Sequence, residues 1–419
     1  MKIAIIGAGS SYTPELLEKL GEMREELPVA DISLMDADER RLAIVGGFCE
    51  RYAARLDLPV RFDKTRELPQ ALHGADFVVS QIRVGGNEAR INDEKIPLSF
   101  GLVGQETTGA GGFMKALRTV PAMLEIARAV EKHCPDAWIV NYANPTGIVA
   151  EAVGKHSRAK IAGLCAGGFC ARGWTSLALN VDRDSVRYDI AGLNHMNFSY
   201  GINVRGKELT PEQFRAVAAY RGEQDTELCV ELGALPSPYL QYYFHTAERV
   251  RELRQKKLCR AEQVLLAEKE AYRDFADPAC DTKPAALAKR GGGGYSDIAL
   301  GFVSAVCNDR DSWIVANVPN RGTIGWLPDD AVIETACVAN AAGLRPLSIA
   351  PVPMAVRGLI SAVKNYEQLA VEAAVAGSAG LAELALLAHP LVADWDIVKQ
   401  MLPKLIDANR QWLQNFHVH

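Results

Sequence analysis

Short apolar runs alternate with amphipathic stretches through the first third of the chain. Residues 2–6 (KIAII) and 31–35 (DISLM) are short and mostly apolar, the pattern of buried strands. The segments 76–82 (DFVVSQI), 137–142 (AWIVNY) and 158–164 (RAKIAGL) extend the series. Between them, Pro14–Glu26, Glu39–Leu56 and Leu117–Cys134 carry helical spacing. Strands alternating with helices of this length predict an α/β fold built on a doubly wound parallel sheet.

Near residue 162 the texture changes. Residues 186–204 read as strands, and 209–290 are mostly helical and highly charged. Strands return over 332–343, followed by helices from about Pro353 to the end. The pattern predicts a dinucleotide-binding Rossmann domain over 1–162 and an α+β catalytic domain over 163–419. No Pro/Ser-rich linker, low-complexity segment or internal repeat separates them, so the two parts are expected to share one continuous interface.

Bulk composition narrows the function classes. A length of 419 residues suits two or three domains. A formal net charge of -5 argues against nucleic acid, whose phosphates demand a surplus of Lys and Arg. It leaves room for a small anionic substrate held by a local basic patch. The opening MKIAIIGAGSSYTPE lacks a signal-peptide pattern, and no apolar run of about eighteen residues predicts a membrane span. The nine Cys are scattered singly with no CxxC pair, the usage of reduced thiols in a cytoplasmic protein.

The first chemical signal follows the first strand. GAGS leads into a helix, so backbone N–H groups and the positive end of the helix dipole converge on one spot suited to a pyrophosphate. Gly7 permits the tight turn, Gly9 permits close approach of a phosphate, and Ser10 and Ser11 sit beside it. Tyr12 stands where the third Gly of GxGxxG is usual, so a purely structural turn is the alternative. Asp36 ends the second strand, where a carboxylate accepts hydrogen bonds from a ribose diol and favours NAD over NADP. Arg40 and Arg41 weaken that preference.

Polar residues then crowd four segments that follow apolar runs: RVGGNEARINDE (83–94), GQETTGAGG (104–112), NYANPTG (141–147) and GLNHM (192–196). Ligands of doubly wound sheets collect at such strand ends. Cys165 and His195 each follow an apolar strand, and a thiolate with an imidazole suits a borderline-soft divalent ion. An inert buried Cys and a hydrogen-bonded His are the alternatives. Two protein ligands are few, so substrate oxygens would complete the metal's shell.

GAGSSYTPELL, RVGGNEARINDEKIPL, GLVGQETTGAGG, NPTG, GLC, GLNHM, SPYLQYY, RGGGGYS and LLAHPLVADW together resemble glycoside hydrolase family 4 in order and spacing over essentially the whole chain. The RVGG, GLNHM and RGGxxYS forms are most similar to its 6-phospho-β-glucosidases. The resemblance implies a lactate/malate dehydrogenase-like organisation and a hydrolase that uses NAD without net oxidation, outside two-carboxylate chemistry. The implied path oxidises the sugar at C3, removes the C2 proton beside a metal-polarised ketone, eliminates the aglycone, adds water and returns the hydride. By motif, Cys165 and His195 would bind the metal, typically Mn, and Tyr239 would be the C2 base. A Tyr titrates near 10 in water, so the metal would have to lower it. Glu106, a second catalytic candidate, and Asn144 would line the sugar and metal region, with Arg83 beside the cofactor. Arg90 and Arg260 would grip an anionic group at C6.

One stretch departs from the family. Its metal Cys usually continues Cys-Asn-x-Pro, whereas here Cys165 is followed by Ala166-Gly167-Gly168-Phe169-Cys170, with Arg172 and Trp174 hinting at a reshaped pocket. A sulfoquinovoside or a uronic acid glycoside is therefore an alternative substrate under the same redox mechanism. Of other classes, an NAD-dependent hydroxyacid dehydrogenase would release NADH stoichiometrically. An inactive NAD-binding regulator would have no use for Tyr239 with Cys165 and His195. Apolar helical surface after residue 353 points to a homodimer or homotetramer.

Overall fold

A computed structural model describes residues 1–290, 294–413 and 415–416. Six strands run parallel: β1 (Lys2–Ile6), β2 (Asp31–Met35), β3 (Arg61–Thr65), β4 (Phe77–Ser80), β5 (Trp138–Asn141) and β6 (Lys160–Gly163). Their order is β3-β2-β1-β4-β5-β6, doubly wound with its switch point between β1 and β4. Alternate β1 residues serve opposite faces: Ile3 and Ile5 join one core, Ala4 and Ile6 the other. Six helices belong to this half: α1 (Thr13–Glu22), α2 (Glu39–Arg55), α3 (Leu68–Leu72), α4 (Gly86–Ser99), α5 (Gly109–His133) and α6 (Thr146–His156). The apolar sides of α1 and α2 cover the Ile3 face; α5 and α6 cover the other.

The second half adds a small antiparallel sheet of β7 (Val186–Leu193), β8 (Met196–Val204), β9 (Lys207–Glu208) and β10 (Leu235–Pro236). It also extends the first sheet. Strands β11 (Ser312–Pro319), β12 (Val332–Asn340) and β13 (Gly343–Pro346) run antiparallel beyond β6, giving nine strands across both halves. The junction is narrow, with Asn317 opposite Gly163. A Cβ on Gly163 would stand 2.9 Å from that of Asn317, so only Gly allows the strands to meet there.

The doubly wound sheet and the α+β second half agree with the sequence pattern; several boundaries do not. Helix α1 stops at Glu22, short of Glu26. Helix α5 begins at Gly109 rather than Leu117, because GAGG is its first turn and not a loop. A Cβ on Gly111 would meet the Gln105 carbonyl oxygen at 2.3 Å, and one on Gly112 the Thr107 carbonyl carbon at 2.5 Å. These glycines let the helix start against its own preceding chain. Most of the polar segment 83–94 is helix α4, which buries Asn87, Arg90, Asp93 and Glu94. Asp93 takes two hydrogen bonds from Arg118 of α5, at 2.9 and 2.6 Å, so the α4–α5 contact contains a buried ion pair. Strand β3, together with the helix Tyr295–Cys307 and β11, lies where the sequence reading places no element.

Candidate active site

A cavity of about 1200 Å³ opens at the C-terminal ends of β1, β4 and β5. Gly7, Ser10, Asp36 and Arg83 line it, as do Arg90, Glu106, Asn144, Tyr239 and Arg260. The fold thus gathers nine residues expected at the site from positions spread over more than half the chain. Gly9, Ser11, Cys165 and His195 do not line it directly. Lys115 and Arg290 do, although the sequence patterns do not assign them to the site, and Arg41, expected near Asp36, lines it too.

The glycine turn occupies one end. Gly7 has φ +86°, and a Cβ there would press on the Ile82 backbone nitrogen at 3.0 Å. Gly9 donates its N–H to Asp36 Oδ2 at 2.8 Å, and a Cβ on Gly9 would stand 2.8 Å from the same oxygen. Its missing side chain therefore makes room for Asp36, which is held against the turn. Ser11 is buried behind the turn and donates to Glu268 Oε1 at 3.3 Å. Arg41 donates to the Tyr272 hydroxyl, which in turn donates to the Gly9 carbonyl at 2.7 Å. Its Nε and Nη2 are engaged there, and the side chain lines the cavity together with Asp36. Arg40 is exposed.

A second feature is a knot of charge. The Glu106 carboxylate meets Arg83, Arg90 Nη1 at 3.1 Å and Lys115 Nζ at 2.7 Å. Arg90 also donates to Glu94 Oε1 at 2.7 Å, and Glu94 accepts the Ala261 N–H at 3.0 Å. Two arginines and Lys115 thus meet two carboxylates, and the knot carries an excess positive charge when Lys115 is protonated. Burial disfavours a charged Glu106, but Arg83, Lys115 and Arg90 override it and hold the carboxyl well below its usual range. Burial and the neighbouring Arg83 push Lys115 down to about 7. Arg260 stands at the exposed rim, donating to the Arg290 carbonyl at 2.6 Å. Lys115 was detectable in principle as a lone cation within the apolar run FMKAL.

The third feature adjoins the cavity wall. Cys165 Sγ lies 3.5 Å from His195 Nε2, and both side chains are buried. Two ligands of one ion, at typical bond lengths of about 2.3 Å for thiolate and 2.1 Å for imidazole, stand about 3.1–3.6 Å apart. The pair fits a divalent metal in donor chemistry and spacing. Gly167 donates its N–H to Cys165 Sγ at 3.4 Å, and His195 Nδ1 is buried without a hydrogen-bond partner among the described residues. Burial raises the Cys165 thiol to about 12 and lowers His195 to about 3. His195 sits at φ +63° in the tight turn between β7 and β8. That turn is braced by buried Glu334, which accepts from Asn194 at 3.2 Å, Asn317 at 3.1 Å and Asn197. The Tyr239 ring stacks on His195 with centroids 3.9 Å apart, and burial raises its phenol.

The segment after Cys165 forms a single 3-10 turn, Ala166–Phe169. Gly168 packs so closely that a Cβ would stand 2.4 Å from Val315 Cγ1. Arg172 and Trp174 correct an expectation: Arg172 lies over Trp313 at 4.2 Å and Trp174 faces Arg221, and neither lines the cavity. In the RGGGGYS motif, residues 291–293 lie outside the described residues. His389 of the late LLAHPLVADW segment accepts the Gly109 N–H at 3.2 Å, tying that segment to the start of α5.

The sequence profile of the family 4 glycosyl hydrolases matches residues 2–174, and that of the family's C-terminal domain matches residues 190–392. The chain belongs to family 4 of the glycosyl hydrolases. It is 38% identical to a probable 6-phospho-beta-glucosidase of Bacillus subtilis, covering 99% of this chain and 98% of that one. The 6-phospho-beta glucosidase of Thermotoga maritima, solved with NAD and glucose-6-phosphate, superposes with a TM-score of 0.92 at 33% identity, over 98% of this chain and 99% of that one. A second structure of that enzyme holds manganese as well, with a TM-score of 0.90 at 32% identity over 98% and 99% of the two chains. Plasmodium falciparum malate dehydrogenase shares the fold at a TM-score of 0.54 and 15% identity, covering 91% of this chain and 99% of that one. The family 4 chain thus has the dehydrogenase-like organisation expected of it.

Proposed function

We propose that this family 4 hydrolase cleaves 6-phospho-β-glucosides, using NAD catalytically with a divalent metal ion, Mn2+ foremost. One observation carries the reading. A single cavity joins the glycine turn and Asp36, the cationic knot on Glu106, and Tyr239 stacked on the Cys165–His195 pair. When bound, NAD supplies a reversible hydride acceptor for sugar C3, and the metal ion supplies the polarisation that makes the C2 proton acidic.

The chain's own residues do the rest. Gly7, Ser10 and the start of α1 seat the cofactor's diphosphate, Gly9 holds Asp36 in place through its N–H, and Asp36 receives the ribose diol. Ser11, bonded to Glu268, supports the turn from behind, and Arg83, bonded to Glu106, borders the cofactor end. Arg90 and Lys115, with Arg260 at the rim, hold the C6 phosphate. Cys165 and His195 hold the metal. Asn144 orients the sugar, and Tyr239 takes the proton from C2. Similarity to 6-phospho-β-glucosidases over nearly the whole chain favours phosphate over the sulfonate of a sulfoquinovoside or the carboxylate of a uronide. It also favours hydrolysis over hydroxyacid oxidation. The test is hydrolysis of an aryl 6-phospho-β-glucoside that requires both NAD and Mn2+. Turnover of the sulfoquinovoside alone would overturn the substrate, and NADH accumulating on a hydroxyacid would overturn the reaction.

Lys115 adds a pH signature. With its ammonium lowered to about 7, it is largely neutral in the free protein at pH 8. A phosphate dianion beside it favours the charged form, so binding raises its pKa and takes up a proton above pH 7. Affinity for glucose 6-phosphate is expected to fall as pH rises from 7 to 9. Calorimetry in buffers of different ionisation enthalpy measures the uptake, and Lys115→Met abolishes it.

Among the described residues no helix is long and apolar enough to cross a membrane, and all nine Cys are free. These facts support a cytoplasmic location. Exposed Met354, Leu384, Leu387 and Trp395 on the late helices support a homodimer or homotetramer.

A further inference from the structure

Arg290 ends the short helix Ala286–Arg290, and its side chain is only 7% exposed. Its guanidinium carbon lies 3.3 Å from the centroid of the Tyr12 ring. Tyr12 is the residue that caps α1, directly after the glycine turn. Nε of Arg290 donates to Glu268 Oε1 at 3.2 Å. Glu268 also receives Ser11 at 3.3 Å and Asn87 at 2.7 Å, so one carboxylate ties the turn, α4 and Arg290 together. Nη1 of Arg290 is buried and has no hydrogen-bond partner among the described residues, although Arg290 lines the main cavity. An unpaired N–H on a buried cation is costly, and such groups persist where a ligand supplies the acceptor.

We infer that Arg290 is a ligand of the cofactor's diphosphate, contributed by the second half of the chain and placed beside the glycine turn. The inference rests on the dinucleotide reading of that turn and goes beyond it. Its place in the site argues for the diphosphate over the C6 anion. Arg290 stacks on Tyr12, the cap of α1 beside the glycine turn, whereas Arg90 and Lys115 converge on Glu106, with Arg83 between the two groups. Stacking on Tyr12 leaves the edge of the guanidinium plane free to donate. Tyr12 in place of the third glycine thus becomes the platform that orients this Arg.

The experiment titrates full-length wild type, Arg290→Gln and Arg290→Lys with NAD, ADP-ribose and glucose 6-phosphate. Arg290→Lys keeps a cation beside Glu268, guarding against loss of fold, and thermal melting checks both variants. The expected result is NAD and ADP-ribose bound about tenfold or more weakly by both variants, with glucose 6-phosphate affinity unchanged. Unchanged NAD and ADP-ribose binding would overturn the inference. Weakened glucose 6-phosphate binding with intact NAD binding would move Arg290 to the sugar anion and overturn it equally. Wild type that binds neither NAD nor ADP-ribose would instead overturn the dinucleotide reading, and is seen before any variant is made.

Discussion

Tyr239→Phe is expected to lower kcat by about 10²–10⁴-fold, the range for removal of a positioned proton-transfer group. The substitution deletes only the phenol oxygen. The ring that stacks on His195 at 3.9 Å stays, so the Cys165–His195 pair keeps its neighbour and the cavity its wall. NAD and glucose 6-phosphate should bind as in wild type, confining the loss to kcat. The informative readout is exchange at C2: wild type run in deuterium oxide should place deuterium at C2 of the product, and the variant should do so only at its residual rate. Wild-type kcat in the variant, or loss of NAD binding alongside activity, would remove Tyr239 from the proton transfer. Tyr242 also lines the cavity, so Tyr242→Phe is the matched control for loss of a nearby phenol.

Much of this arrangement was legible in the chain because its sheet is apolar on both faces. KIAII and FVVS flank the switch point and DISLM lies next to KIAII, and the turn after KIAII and the carboxylate after DISLM stand where such sheets bind nucleotides. What hid was polar. Strand β3 (RFDKT) lies at the sheet edge with charged side chains outward, so no apolar run marks it. Helix α4 turns Arg90, Asp93 and Glu94 inward, and its buried face is nearly as polar as its exposed one. Apolar periodicity cannot register a helix whose core contacts are ion pairs. The same blindness concealed Glu268, Arg290 and Glu334, each buried and held against residues far away in the chain. Cys165 and His195 were placed at strand ends from the sequence, but their approach depends on a hairpin turn braced from β11 and β12. A pattern of single residues does not contain that contact.

Cys165→Ser should abolish measurable Mn2+ binding, a loss beyond the roughly 10–100-fold seen when only an outer partner of a metal ligand is removed. Serine is close to isosteric, and Cys165 lies away from the glycine turn, so NAD affinity and melting temperature should stay near wild type. The donor count gives the experiment a second dimension. Among the described residues no group of three or more His, Cys, Asp or Glu side chains is placed to hold an ion, which leaves the Cys165–His195 pair to share the shell with other oxygens. Replacement of the family's usual Asn by Ala166 removes one nearby amide as well. Substrate hydroxyls are then required to complete the coordination, so substrate and metal should bind cooperatively. Electron paramagnetic resonance of free Mn2+ should show weak binding to the NAD-loaded protein and several-fold tighter binding once glucose 6-phosphate is added. By linkage, Mn2+ must tighten glucose 6-phosphate by the same factor. Equal Mn2+ affinity with and without the sugar phosphate would mean that the protein closes the shell alone. Full Mn2+ binding by Cys165→Ser would place the ion elsewhere, and the stacked pair of His195 and Tyr239 would then need another explanation.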